Sequence, residues 1–552
     1  MSDNGSKKNN FIMQAGILAA AGIISRIIGL LYRSPLHNVV GPLGMGYYSS
    51  AYNYYSIILL ISSYSIPAAI SKVIAQKLAL KEYRNAHRFF LGALGYVLIV
   101  GFAAGLFLFF GAGLFVSKEA IPVLRTFAPT IFVYGILGVL RGYFQAHRSM
   151  VQTSVSQILE QIANALVSVG AAYLMIRMTF QSMEVPTDEA GQILRATKGA
   201  IGSALGTGVG VLVALLFMLG IYGLNRELIQ KRIRRDKHEN VDSYKSIFKT
   251  ITLVVTPFIL STAVNNLSGA VNNSVYTKIL PEIRNLDTVG IYYRWGIFSN
   301  QAVTISNIPI AFANAMAAAM IPSVAQLVAA KDMKGAVQKI SLAVKTTMLI
   351  SIPCAAGLFA LARPITGLLF VNTPEDETFA TQMLMALALS VVFYALSALN
   401  SNILQGVGKV KTPIVNAGIA LAVQTVSAVM LLSFTDIDLY SIAVANTLYS
   451  GIMCVLNQYA VCKAIGYRQE MMKTFLIPAL ASAVMGAFAW AAYEGLLMLT
   501  SSPKISVIIV IPFAVCIYFV MLLMFRGITE EELRAIPKGH LLVKVAKKCK
   551  FM

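Results

Sequence analysis

Ile66 to Ala86 reads IPAAISKVIAQKLALKEYRNA, and Met316 to Ala336 reads MAAAMIPSVAQLVAAKDMKGA. Aligned end to end, Ala68, Ala69, Ala75, Gln76, Ala79, Lys81 and Ala86 recur, Glu82 becomes Asp332 and Arg84 becomes Lys334. Each copy leaves an apolar helix and enters a short basic turn. A second echo pairs Tyr134…Gln145 with Tyr394…Gln405, each followed by a basic loop, HRSMVQT or KVKTP. A third pairs Gly46-Tyr47-Tyr48 with Gly290-Ile291-Tyr292-Tyr293. Three echoes in the same order describe a chain made of two related halves.

The medium those halves fold in follows from composition. Of 552 residues, 57% are hydrophobic and only 12% charged, where a soluble domain carries about 25% charged residues. So little polar surface cannot cover a globule, whereas a bilayer accepts it. A spanning helix needs roughly 20 mostly apolar residues. Such stretches recur at 11–33, 48–72, 89–115, 121–146, 152–176, 199–223, 247–275, 290–328, 338–362, 378–404, 412–434, 439–462, 474–498 and 505–525. The expectation is an all-α membrane protein with about fourteen transmembrane helices. Stretch 290–328 is too long for a straight crossing and predicts an interfacial extension or a bend near Pro309. The repeat unit is six spans, an even number, so both halves share one orientation, a parallel repeat about an axis along the membrane normal. The expected division is an N-terminal lobe 1–224, a basic linker 225–246, a C-terminal lobe 247–466, an additional helix pair 467–526 and a basic tail 527–552.

The net charge of +21 reports topology rather than nucleic-acid binding, because the basic residues are spread over many short loops. Lys72, Lys77, Lys81, Arg84, Arg88, Arg148, the run Arg226 to Lys249, Lys331, Lys334, Lys409, Lys411, Lys463 and Lys473 fall in alternate gaps, with Lys7 and Lys8 before the first span. Acidic residues such as Glu375-Asp376-Glu377 collect in the others. This positive-inside alternation predicts both termini in the cytoplasm and no cleaved leader. The cysteines (Cys354, Cys454, Cys462, Cys516 and Cys549) form no CxxC pair and predict neither a disulfide framework nor a zinc site.

A charge at the bilayer centre costs at least ~2.5–3.5 kcal/mol and normally faces a cavity. Arg141, Lys345 and Arg363 lie near span ends, where long side chains reach back to the interface. Arg26 lies well inside the first span, and Arg33, seven residues on, shares its helix face; the pair reads as a cavity lining for an anion, with Arg294 as a third cation. A guanidinium fork matches two phosphate oxygens. Glu160, inside the fifth span, could take a proton or cation, or act as counter-charge to Arg26 or to another cation of the first lobe. The seventh span carries Asn265, Asn266, Asn272 and Asn273, and the eighth Asn300, Gln301, Asn307 and Asn314. Amides at this density line a wet pathway or hydrogen-bond between helices; the pathway is the expectation. Tyr47, Tyr48, Tyr52, Tyr54 and Tyr55 read as an interfacial aromatic belt. No nucleotide-binding, HExxH or GxSxG pattern is present, so the chain is expected to be no enzyme, to use no cofactor or metal, and to draw on an ion or cargo gradient.

Three stretches, SRIIGLLYRSPLHNVVGPLGMGYYSSAYNYY, SIPAAISKVIAQK and RGYFQAHRSMVQTSVSQILEQ, resemble the stage V sporulation protein B and polysaccharide-biosynthesis branch of the MOP exporter superfamily, which is similar to the MurJ-type lipid II flippases. The resemblance implies two six-helix lobes in a V, two further helices, and alternating-access flipping of an undecaprenyl-pyrophosphate-linked precursor through a cationic cavity. Ser25-Arg26 matches the SR of the family's first helix; Arg33 and Arg294 stand where further cavity arginines are expected. Sodium-coupled relatives place carboxylates in the seventh and eleventh helices, where this chain has Asn272, Asn273 and Asn416. The expected function is a cell-wall precursor flippase in the bacterial cell membrane. Its expected partners are a lipid-linked oligosaccharide, membrane lipids and cell-wall synthesis proteins. Alternatives are another polysaccharide-unit flippase, a multidrug/cation antiporter or a non-transporting sporulation assembly factor.

Overall fold

The computed structural model describes residue 17 and residues 20–528, apart from 65, 148, 237–240 and 285–286. Lys7, Lys8 and tail residues 529–552 lie outside the described residues, as do the side chains of 254–265. Every regular element among the described residues is helical. Ten helices are long and apolar enough to cross a membrane, from Tyr83–Phe110 to Pro503–Met524. The other four expected spans, the first two of each half, are helical but more polar or interrupted. They lie on α1 (Ala20–Leu31), α2 (Arg33–Leu59) with α3 (Ile66–Ala79), α9 (Tyr244–Ser274), and α10 (Thr288–Ile297) with α11 (Val303–Ala329).

Three of these polar runs contain a π-helical turn: Leu60–Tyr64 after α2, Val275–Ile279 after α9 and Phe298–Ala302 between α10 and α11. The last corrects the expected bend near Pro309: the irregular turn comes earlier, at Phe298–Ala302. The first helix also outruns its expected end. It continues past Arg33 through backbone bonds such as Leu36 N–H to Tyr32 O (3.0 Å) and breaks at Gly41, whose φ of 78° is available to glycine and which precedes Pro42.

The chain divides into two compact units, Met1–Gly296 and Ile297–Met552. Within the first, α4 (Tyr83–Phe110), α5 (Ile121–Ala146), α6 (Met150–Phe180) and α7 (Glu189–Leu224) surround α2 and α3. Gly202, Gly206 and Gly210 put a bare stripe on α7 at a spacing of four. A Cβ at Gly202 would sit 2.4 Å from Ala172 N, at Gly206 2.0 Å from Ser168 Oγ, and at Gly210 2.6 Å from Glu160 O. The α6 and α7 backbones touch over more than two turns, the small-residue packing that joins helices where lipid offers no hydrophobic drive. A short helix, α8 (Arg226–Arg234), follows α7.

In the second unit, α13 (Pro374–Gly406) runs among α11, α12 (Met333–Ala360) and α15 (Leu439–Ile465), burying Ala313, Ile340, Val344, Leu399, Ile403 and Val461. The helix α14 (Lys411–Phe434) packs on α15. The last pair, α16 (Ile477–Thr500) and α17 (Pro503–Met524), joins through Ala481, Ala489, Val507 and Val510. Tyr518 Oη of α17 donates to Leu349 O of α12 at 2.8 Å.

The repeat is visible bond by bond. Lys81 and Lys331 both adopt left-handed φ, 62° and 60°. Glu82 N–H reaches Lys77 O (2.9 Å) and Lys81 N–H reaches Leu78 O (3.1 Å), while Asp332 N–H reaches Leu327 O (3.0 Å) and Lys331 N–H reaches Val328 O (3.0 Å). Each is a helix ending of the Schellman type, which satisfies carbonyls the helix leaves unpaired. The second echo repeats this: Ser149 N–H bonds Phe144 O (3.1 Å) and Lys409 N–H bonds Leu404 O (2.8 Å).

Candidate substrate pathway

Charges inside apolar helices have to find a partner or water. Arg26 on α1 and Arg294 on α10 are exposed, and Arg33 is half-buried. Two of the three sequence-selected cations are therefore not enclosed by their own bundle. Glu160 behaves differently. Its carboxylate accepts from Arg141 Nη2 at 2.8 Å, and Arg141 Nε donates to Ser156 Oγ at 2.9 Å. The side chains of Arg141 and Glu160 are 6% and 15% exposed. This corrects one expectation and selects among others: Arg141 is a buried half of an ion pair between α5 and α6 rather than a side chain reaching the interface, and of the readings open for Glu160 the structure shows the ion pair within the first lobe, with Arg141 rather than Arg26. Lys345 is likewise buried, at 6%, whereas Arg363 is exposed and pairs with Glu377 at 3.2 Å.

The amides separate into two sets. Asn266, Asn307 and Asn314 are exposed. Asn272, Asn273 and Asn300 are buried at 5%, 0% and 1%, which corrects their assignment to a wet pathway. Asn273 Nδ2 donates to Ser50 Oγ at 2.9 Å, joining α9 to α2. The Asn265 side chain lies outside the described residues. Gln301 and Asn372 exchange amide bonds at 2.8 and 3.0 Å. Asn416 Nδ2 donates to Asn457 Oδ1 at 2.9 Å, and Asn457 Nδ2 donates to Ser401 Oγ at 2.8 Å. These interhelical bonds are the use that buried amides find in a membrane.

The tyrosines are also corrected. Tyr47, Tyr48 and Tyr55 are 1%, 6% and 2% exposed. Tyr55 stacks on Phe127 with ring centroids 4.7 Å apart, so these rings fill the bundle rather than girdle it. Tyr54 Oη meets Ser274 Oγ at 2.5 Å, and Tyr52 alone of the five is exposed at 38%. The third echo now acquires a geometry: Tyr47 and Tyr292 lie against each other, centroids 5.0 Å apart. A Cβ at Gly46 would sit 1.9 Å from Tyr292 O, and one at Gly296 2.0 Å from Pro42 O. The starts of α2 and α10 therefore cross backbone on backbone.

One residue escaped the sequence reading. Arg195, on α7 and 8% exposed, donates through Nη2 to Val39 O (3.2 Å) and Met183 O (3.4 Å). It holds the last turn of the first helix beside the Gly41 break. Nothing local in RATKGAIG separates it from an interfacial arginine; only the fold brings it to Val39.

Long apolar helices and buried interhelical amides describe a multi-pass membrane protein. The family described as "Lipid II flippase MurJ" matches residues 83–514, and the chain belongs to that family. Among Bacillus subtilis (strain 168) relatives, the uncharacterized membrane protein YabM is 26% identical over 99% of this chain and 98% of its own length. Lipid II flippase MurJ is 23% identical over 85% and 86%, and stage V sporulation protein B 22% identical over 97% and 100%. The solved inward closed conformation of lipid II flippase MurJ superposes with a TM-score of 0.64 at 15% identity, covering 92% of this chain and 98% of that one. The family is one of transporters, which places the protein in the cell membrane.

Proposed function

We propose that the protein flips an undecaprenyl-pyrophosphate-linked cell-wall precursor, of the lipid II kind, across the cell membrane by alternating access. The observation that carries this reading is the contrast among its intramembrane charges. Arg141 is closed off against Glu160, while Arg26 and Arg294 are exposed. Guanidinium groups open to a chamber suit a pyrophosphate head, whose lipid tail can remain in the bilayer. The reading takes lobes 1–224 and 247–466 as parallel repeats within a fourteen-span chain with cytoplasmic termini, joined by linker 225–246 and followed by the pair 467–526 and tail 527–552. Arg33 and the exposed amides Asn266 and Asn307 extend the polar path. Family membership supports the substrate class, and similar identities to the MurJ and sporulation relatives leave the cell-wall stage at which the protein works to be tested. A cation antiporter is disfavoured because Glu160 is already engaged by Arg141.

The test is complementation of a MurJ-depleted cell together with an assay of lipid II exposed on the outer leaflet. The parent chain restores both. Arg26→Ala, expressed at parental level, abolishes both; full growth with Arg26→Ala refutes the cationic-cavity mechanism.

A further inference from the structure

A further group of polar side chains gathers at the ends of α3, α4 and α5 of the first unit. There a cleft of about 210 Å³ is roofed by α8, whose Leu228, Ile229, Arg232 and Ile233 face it, and floored by His87, Tyr143 and His147 with Tyr83, Ser149 and Gln152 at its rim. No Asp or Glu lines it, although acidic residues lie close by. Those residues are turned to other partners. Asp236 accepts from Arg84 N–H at 2.6 Å, Asp242 pairs with Lys77, and Glu82 accepts from Asn85 Nδ2 at 3.1 Å. The Asp236 and Asp242 bonds, with Asn85 Oδ1 accepting from Asp242 N–H (3.0 Å) and Arg88 over the Tyr244 ring at 4.6 Å, fasten the C-terminal part of the linker to the end of α3 and the start of α4.

The imidazoles are set to meet a ligand. His147 Nδ1–H donates to Tyr143 O at 2.9 Å, since a carbonyl can only accept, so Nε2 is the ring's free position. Neutral, it accepts from a phosphate O–H; protonated, it donates to a phosphate oxygen. Burial, together with the Arg232 charge and against the Tyr143 bond, holds the His147 pKa below its usual value. His87, whose Nδ1 is buried with no hydrogen-bond partner among the described residues, lines the same cleft.

We propose that this cleft binds a phosphate-bearing anion, its oxygens held by Arg232, His87 and His147, so that the bound anion staples the linker helix α8 to the ends of α4 and α5. The apolar wall of Leu228, Ile229 and Ile233 suits the first carbons of a lipid headgroup, and the open rim suits a soluble phosphate. The phosphate is the chemistry both share.

The experiment uses the purified full-length chain in neutral detergent and reads its thermal melting. One series titrates inorganic pyrophosphate; the other compares micelles doped with phosphatidylglycerol and with phosphatidylcholine. A saturable rise with pyrophosphate identifies a soluble source; a rise confined to phosphatidylglycerol identifies a lipid headgroup. In the effective series Arg232→Gln and His147→Gln each weaken apparent affinity about tenfold, on the scale of one charge-assisted hydrogen bond. Arg235→Gln, which removes the same charge outside the cleft, leaves it unchanged. If Arg232→Gln does not yield folded protein, the contrast between His147→Gln and Arg235→Gln decides. No saturable stabilisation in either series, or equal weakening by the cleft variants and Arg235→Gln, overturns the proposal.

Discussion

Two seams of the first unit are closed by glycine, and they are built for different ends. The α6–α7 seam repeats its contact at Gly202, Gly206 and Gly210 and has the buried Arg141–Glu160 pair beside it. The crossing of α2 and α10 touches closely at Gly46 and Gly296. Around it lie neutral bonds, Asn273 to Ser50 and Tyr54 to Ser274, and π turns follow α2, α9 and α10. Parting the first seam would separate more than two turns of backbone packed at contact distance, close packing for which lipid offers no equivalent. Parting the second exchanges neutral hydrogen bonds for water, at a net cost near 1 kcal/mol each, in helices whose π turns offer alternative registers. The comparison marks the first seam as the firmer of the two and the second as the one that parts at lower cost.

The largest effect that can break this contrast is expected at Gly206. A side chain there must displace Ser168 backbone lying within 2.6 Å of the new Cβ. Gly206→Val should cost at least about 3 kcal/mol and remove the folded peak in size-exclusion chromatography. A folded variant with parental melting would mean that the α6–α7 seam yields easily and is not the rigid partner.

The ion pair beside it comes next. Glu160→Gln leaves Arg141 buried against a neutral amide and should destabilise by about 3 kcal/mol. The double replacement Arg141→Met with Glu160→Met should recover most of that loss and retain flipping. If instead Glu160→Gln melts like the parent while flipping stops, the carboxylate belongs to the transport cycle and the first seam is not merely structural.

How much of this was readable beforehand varied with the physics of each feature. The Lys81 and Lys331 turns were legible because a helix ending with a basic residue, then an acidic one at the restart, leaves a residue pattern that both copies keep, although only Asp332 caps the helix that follows with its side chain. Arg26 and Arg294 stood out because charge is costly in a bilayer, but the residues alone did not say what they face; the structure shows both exposed. The Arg141–Glu160 pair was half legible: Glu160 stood out inside its span, with an ion pair within the first lobe among its readings, but Arg141, 19 residues away on another helix, resembles an interfacial side chain. The tyrosines of α2 misled because an amphipathic ring suits a lipid interface and a hydrogen-bonded helix seam equally well. The π turns left no trace, because inserting one backbone register requires no particular residue. The four polar helices were counted as spans from their length, yet their amides did not reveal which faced water and which faced a neighbour.

The smallest and most discriminating effect is expected at Gly46. A methyl group there would lie 1.9 Å from the Tyr292 carbonyl oxygen, a backbone atom that cannot rotate aside, so α2 and α10 must move apart locally. They have room to do so, because the chain breaks at Gly41 on one side and passes through Phe298–Ala302 on the other. Gly46→Ala should therefore cost only about 1–2 kcal/mol while shifting the protein toward states in which the crossing is open. The reporter is a disulfide between Ser50→Cys and Asn273→Cys, whose parent side chains are hydrogen-bonded between α2 and α9 beside this crossing. Oxidation should cross-link this pair readily in the Gly46 background and several-fold more slowly with Gly46→Ala, at unchanged expression. Equal rates would mean that the crossing absorbs a methyl without parting, and the distinction between a fixed and a separating seam would fail at the point where it is sharpest.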